Sequence, residues 1–124
     1  MYDIILLEDL ESDAELITRQ IHKVNPEARV LWVKDGESFM NALRTYEPRL
    51  ILADYHIPGY DGLKALEAAN QLLPLVPFIF VTGTVNDEEL AAETIMAGAT
   101  AYFLKNKINE LASKLKIYLQ PQFP

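Results

Sequence analysis

Five short, mostly apolar runs divide the chain: Ile4–Leu7, Arg29–Val33, Leu50–Ala53, Phe78–Val81 and Ala101–Leu104. Each stops at a polar or turn-forming residue. The run Leu50-Ile51-Leu52-Ala53 is small or apolar throughout and ends abruptly at Asp54, the pattern of a strand buried on both faces. Between the runs, apolar residues return at helical spacing. Leu10, Ala14, Ile17, Ile21 and Val24 form the first such stripe, with Ser12 or Asp13 available as N-cap and Asn25-Pro26 as the stop. Phe39, Met40, Leu43 and Tyr46 form the second, begun by Asp35 or Ser38 and ended before Pro48. A third helix runs from about Asp61 to Leu73, ahead of Pro74 and Pro77. Asn86 is the expected cap of a fourth, with Asp87, Glu88 and Glu89 at the positive end of its dipole and Gly98 as C-cap. The last helix carries Ile108, Leu111, Ala112, Leu115 and Leu119 on one face, and Ile117 falls off that stripe.

Strand and helix alternate five times, which calls for parallel βαβ units. The expected fold is α/β: a doubly wound, five-stranded parallel sheet with helices on both faces. Strand order 2-1-3-4-5 is the usual solution at this size. Residues 1–119 make one domain, and 120–124 are a tail or the start of a linker.

Composition narrows the choice of partners. Hydrophobic content of 50% with 23% charged residues is ordinary for a globular chain. A formal charge of −7, from 11 basic and 18 acidic residues, argues against nucleic acid or anionic membrane as a partner. The absence of cysteine removes disulfides, thiol catalysis and cysteine-based metal sites. The opening Met1-Tyr2-Asp3 lacks the basic start and apolar run of a signal peptide, and no segment has the length to span a bilayer. A cytoplasmic location is therefore expected. Met1 reads as a natural start, which leaves open a stand-alone module or the N-terminal part of a longer chain.

Parallel strands finish on one edge, so their final residues meet. Here those are Glu8-Asp9, Asp54, Thr82 and Lys105: three carboxylates, a hydroxyl and an ammonium. Singly, each has an ordinary reading as a helix cap, turn residue or solvated lysine, and Asp54 alone could be nucleophile, metal ligand or cap. Capping, however, does not dictate which types fall at four separate strand ends. Three clustered carboxylates repel one another, and one lysine does not balance them. A hard divalent cation with oxygen ligands does, and phosphoryl transfer needs a nucleophile, such a metal, and donors for phosphoryl oxygens. Gly83 leaves room beside Thr82 for a ligand oxygen.

With these residues in view, the chain from about Tyr2 to Leu119 resembles a response-regulator receiver domain of two-component signalling, a flavodoxin-like fold. The resemblance is carried by Glu8-Asp9, by Asp54 with Pro58 and Gly62, by Thr82-Gly83, by Ala97-Gly98-Ala99, and by Tyr102 with Lys105. It implies that Asp54 accepts a phosphoryl group from a phosphohistidine on a sensor histidine kinase or histidine phosphotransfer protein. It further implies that Glu8, Asp9, Asp54 and the backbone carbonyl of His56 hold Mg²⁺ (or Mn²⁺). Lys105 would pair with the phosphoryl group, Thr82 would hydrogen-bond it, and Tyr102 would be the aromatic that changes rotamer. Such a module is no enzyme beyond its own phosphorylation and dephosphorylation, and it acts through a downstream protein partner or an attached output domain.

One position departs from the family pattern. A proline commonly follows the lysine through a cis bond, whereas Asn106 follows Lys105 here. A cis bond to a non-proline residue costs about 2.5–4 kcal/mol, so a trans bond is expected, with Lys105 still reaching Asp54 and the last helix capped by Asn106 or Asn109. Trp32 is expected to pack against a flanking helix, and His22 to be solvated. Three alternatives compete. An aspartate-nucleophile phosphatase-like enzyme would want a second acid two residues after the nucleophile, where His56 stands. An FMN carrier would need a Ser/Thr/Gly-rich loop after the first strand, in place of Glu8-Asp9-Leu10-Glu11. A receiver-like interaction domain working without phosphorylation would not require the acids, all of which are present.

Overall fold

The computed structural model describes residues 1–83 and 88–120. Strand β1 (Ile4–Leu7) leads to helix α1 (Glu11–Val24), then β2 (Val30–Val33), α2 (Gly36–Thr45) and β3 (Leu50–Ala53). A miniature antiparallel pair follows, β4 (His56–Ile57) and β5 (Tyr60–Asp61), before α3 (Gly62–Leu72). The chain continues through β6 (Phe78–Thr82), α4 (Glu88–Met96), β7 (Ala101–Leu104), a 3₁₀ segment (Lys105–Glu110) and α5 (Leu111–Leu119). The five main strands form a parallel sheet in the order β2-β1-β3-β6-β7, which is the expected 2-1-3-4-5.

Alternate residues of the central strands feed two separate cores. Ile5, Leu7, Ile51, Phe78 and Phe80 pack with Phe39 and Leu43 of α2 and Leu66 of α3. Ile4, Leu6, Leu50, Leu52 and Val81 pack with Ile17 of α1 and Leu111, Leu115 and Leu119 of α5. β1, β3 and β6 are buried throughout, while β7 at the edge is only half-buried. Each fully buried Ile or Leu contributes roughly 1.5–3 kcal/mol relative to exposure, and this anchors the strand ends that carry the polar residues.

The helix boundaries follow local chemistry with two corrections. Asp35 caps α2 by accepting from the Ser38 N–H at 2.8 Å, and this bond lowers the Asp35 pKa. Asp61 caps α3 through the Leu63 N–H at 2.9 Å. α4 closes at Gly98 (φ 111°), where the Gly98 and Ala99 N–H groups donate to the Ile95 and Thr94 carbonyls. That pairing is a Schellman closure, which a positive-φ glycine permits. Asn86 lies outside the described residues. Neither Ser12 nor Asp13 caps α1: Leu10 occupies the cap position without a side-chain bond, and its N–H donates to Glu8 Oε2 at 3.2 Å. Neither Asn106 nor Asn109 caps α5, because Lys105–Glu110 tightens into the 3₁₀ turn, broken at Lys107 (φ −114°, ψ 30°). The buried Gln20 of α1 supplies the acceptor for the Ala112 N–H instead, and Asn25 donates to the Leu119 carbonyl at the far end.

Candidate functional site

β3 ends at Ala53, and the Asp54 N–H makes one more ladder-like bond, to the Leu7 carbonyl at 2.9 Å. That bond fixes the carboxylate beside the end of β1, where Glu8 and Asp9 emerge. The loop after Asp54 is held by the β4–β5 pair, whose turn centres on Pro58 and Gly59 (φ 74°). Proline followed by a positive-φ glycine is the signature of a type II turn. The same loop aims the His56 N–H at Asp54 Oδ1, 3.1 Å away, and leaves the His56 side chain exposed. Asp9, Asp54, Tyr55, His56 and Pro58 line the open cleft above.

Glu8, Asp9 and Asp54 each offer a carboxylate oxygen, all within 4.8 Å of one another. Lys105 reaches into this group from the end of β7. Its Nζ stands 2.5 Å from Glu8 Oε1 and 2.8 Å from Asp54 Oδ2, although Asn106 follows it through a trans bond, as does every described residue. The ammonium also donates to Asp13 Oδ2 at 2.8 Å. Burial works against its charge, but the hydrogen bonds it donates to Asp13, Asp54 and Glu8 outweigh that and hold the Lys105 pKa above the usual lysine range. Glu8 is fully buried. Desolvation pushes its carboxyl up to about 7, against the opposing pull of Lys105. The donors are all oxygens, their negative charge exceeds that of the one lysine, and one of them is desolvated. That set fits a hard divalent cation.

Thr82 ends β6 with no solvent exposure, and its hydroxyl has no hydrogen-bond partner among the described residues. A buried, unpartnered hydroxyl costs about 1–3 kcal/mol, so its presence asks for a ligand. Tyr102 pairs in register with Phe80, their ring centroids 6.4 Å apart, and is half-buried on the edge strand. A Cβ on Gly83 would meet only the Lys105 Cδ, at an ordinary 3.9 Å, so steric room alone does not require glycine there.

Two residues were not legible as part of this cluster. Asp13 read as a helix cap, yet the first turn of α1 lies at the strands' carboxyl edge, and its carboxylate pairs with Lys105. Trp32 does pack against α1 on its edge strand, and its indole N–H also donates to the Glu8 carbonyl at 2.7 Å, fixing that residue's backbone.

A family model for the response regulator receiver domain matches residues 4–116. The chain belongs to the response regulator receiver family. Among curated relatives, the probable methanogenesis regulatory protein FilR2 of Methanothrix harundinacea (strain 6Ac) is 30% identical over 95 residues, covering 70% of this receiver and 61% of that protein. The DNA-binding transcriptional regulator NtrC of Klebsiella pneumoniae is 33% identical over 72 residues, 58% of this receiver and 15% of NtrC. The receiver thus spans less than two thirds of the length of either. A CheY-like response regulator receiver domain protein from Methanospirillum hungatei JF-1 superposes with a TM-score of 0.82 at 23% identity, over 96% of this receiver and 94% of that chain. The Mn²⁺-bound form of response regulator Rcp1 gives a TM-score of 0.79 at 21% identity, over 98% and 99% of the two chains. These likenesses establish the receiver fold. Among the described residues no helix is long and apolar enough to cross a membrane.

Proposed function

We propose that the chain is the phosphoacceptor module of a two-component system, with Asp54 taking a phosphoryl group from a phosphohistidine on a sensor histidine kinase or histidine phosphotransfer protein. The observation that carries this reading is the convergence of Asp54, Lys105, the buried Thr82 hydroxyl and the Glu8-Asp9-Asp54 oxygens at one end of the sheet. Asp54 Oδ attacks phosphorus as the N–P bond of the phosphohistidine breaks, and the imidazole leaves with the bonding electron pair. Lys105 is placed to hold the charge of the transferred group, and the Thr82 hydroxyl to donate to one of its oxygens. Glu8, Asp9, Asp54 and the His56 carbonyl would hold Mg²⁺ or Mn²⁺, which supplies positive charge to the acyl phosphate's oxygens.

Thr82 moves toward the phosphoryl oxygen, and Tyr102 on the neighbouring strand turns inward behind it. The surface of α4, β7 and α5 changes with them, as a shift between two arrangements of the same fold. On this reading the module is not an enzyme toward other substrates. Residues 1–119 form it, 120–124 are a tail or linker start, and it works in the cytoplasm. Its output passes to a downstream protein or an attached output domain, with neither nucleic acid nor membrane touched directly.

Incubation with a small phosphodonor and Mg²⁺, followed by intact mass, tests the reading. The expected gain is one phosphoryl group, abolished by chelation of the metal and removed by hydroxylamine. An unchanged mass after incubation with Mg²⁺ would favour the interaction-domain alternative.

A further inference from the structure

We propose that Asp13 is a positioning residue for Lys105: it holds the ammonium at the rim of the acidic pocket, so that Lys105 can yield Glu8 and Asp54 to a divalent cation while keeping a counter-ion of its own. The inference rests on the metal-binding reading of Glu8, Asp9 and Asp54 given above.

An ammonium carries three N–H donors. Three carboxylates surround this one, Asp13 and Asp54 at 2.8 Å and Glu8 at 2.5 Å. Glu8 and Asp54 belong to the group of mutually close oxygens; Asp13 does not. The partners also differ in depth. The Glu8 side chain is 0% exposed and that of Asp54 9%, against 27% for Asp13, so Lys105 bridges the pocket floor and its edge. Asp13 is not committed to its own helix, because α1 has no side-chain cap bond at its N-terminus.

A cation binding to Glu8, Asp9 and Asp54 takes two of the three partners of Lys105 and adds like charge beside it. Without Asp13, the ammonium would remain against the cation or withdraw into solvent, and either outcome opposes metal binding. With Asp13, it keeps one charge-assisted bond on the side away from the metal oxygens.

A double-mutant cycle separates this role from a simple loss of negative charge. Mg²⁺ is titrated into the wild type, Asp13→Asn, Lys105→Met and the double variant at fixed ionic strength. Intrinsic fluorescence of Trp32, whose indole holds the Glu8 carbonyl, follows the titration, with calorimetry as a second readout. Asp13→Asn is expected to weaken Mg²⁺ binding about fivefold when Lys105 is present, the ratio a partly exposed ion pair carries. In the Lys105→Met background the same change should shift affinity by less than about twofold. Asp13→Glu should restore most of the loss. Glu15→Gln, the same charge change at an exposed position of α1, should stay within about twofold of wild type. If Asp13→Asn does not fold, as judged by circular dichroism, Asp13→Ser takes its place in the cycle. Equal weakening in both Lys105 backgrounds would overturn the proposal, and so would no weakening in either. A wild type that binds Mg²⁺ yet shows no coupling defeats this inference alone. A wild type that gives neither fluorescence change nor heat defeats the metal reading with it.

Discussion

Glu8→Gln separates charge from burial at the floor of the acidic pocket. The Glu8 side chain is fully buried, and desolvation carries its carboxyl from the usual 4.5 to about 7, with the Lys105 hydrogen bond and charge offsetting part of that rise. A carboxyl whose folded pKa exceeds its unfolded value makes the folded state the stronger proton binder. Below the unfolded value both states are protonated and Glu8 adds no pH dependence. Between about 4.5 and 7 the unfolded chain ionises first, so stability falls as pH rises, and above 7 the loss is complete. The interval between the two values corresponds to about 3 kcal/mol. Lys105 does not contribute to this slope, because its raised pKa keeps it charged in both states across the window. Urea denaturation in EDTA, repeated from pH 4.5 to 8.5, reads the effect. The wild type should lose about 3 kcal/mol relative to Glu8→Gln over that range, leaving the variant the more stable protein at pH 8. Saturating Mg²⁺ should reverse the wild-type slope, since the cation requires the ionised carboxylate. Parallel pH profiles for the two proteins in EDTA would refute the reasoning.

Thr82→Val removes a buried hydroxyl that has no partner among the described residues, so the unphosphorylated variant should be about 1 kcal/mol more stable in urea. The same variant should retain its phosphoryl group less well than wild type; lower stability would show that the hydroxyl is satisfied. Gly62→Ala should destabilise the fold by about 1–3 kcal/mol, although alanine is the better helix former. The added Cβ would lie 2.6 Å from Tyr55 Cδ2 and 2.9 Å from the Tyr55 Cα, and that backbone leads directly to the His56–Asp54 bond. A variant as stable as wild type in the same denaturation would count against this packing.

The sheet was legible because its central strands are apolar at nearly every position, a pattern that burial on both faces explains; the strand order came from precedent for sheets of this size, and the structure has it. Asp54, Thr82 and Lys105 were legible for a related reason: each interrupts an apolar run at the edge where parallel strands finish. The errors lie where a side chain bonds across the fold. The carboxylate of Asp13 has the chemistry of a cap, but Lys105, 92 residues away, claims it. The start of α5 carries two asparagines suited to capping, yet Gln20 serves the Ala112 N–H from α1. Trp32 packs against α1 as expected, and only its bond to the Glu8 carbonyl went unseen, because nothing near it in sequence points there. The β4–β5 pair escaped notice for another reason, since strands of two residues carry no periodicity.

Chemical mapping of the phosphorylated residue tests most directly whether Asp54 is the phosphoacceptor. After phosphorylation by a small phosphodonor with Mg²⁺, borohydride reduces an aspartyl phosphate to homoserine, and tandem mass spectrometry of the digest locates the altered residue. Homoserine is expected at position 54 in wild type and nowhere in Asp54→Asn. Modification of Asp9, Asp13 or another carboxylate in the wild type, or a phosphoryl gain that persists in Asp54→Asn, would contradict it.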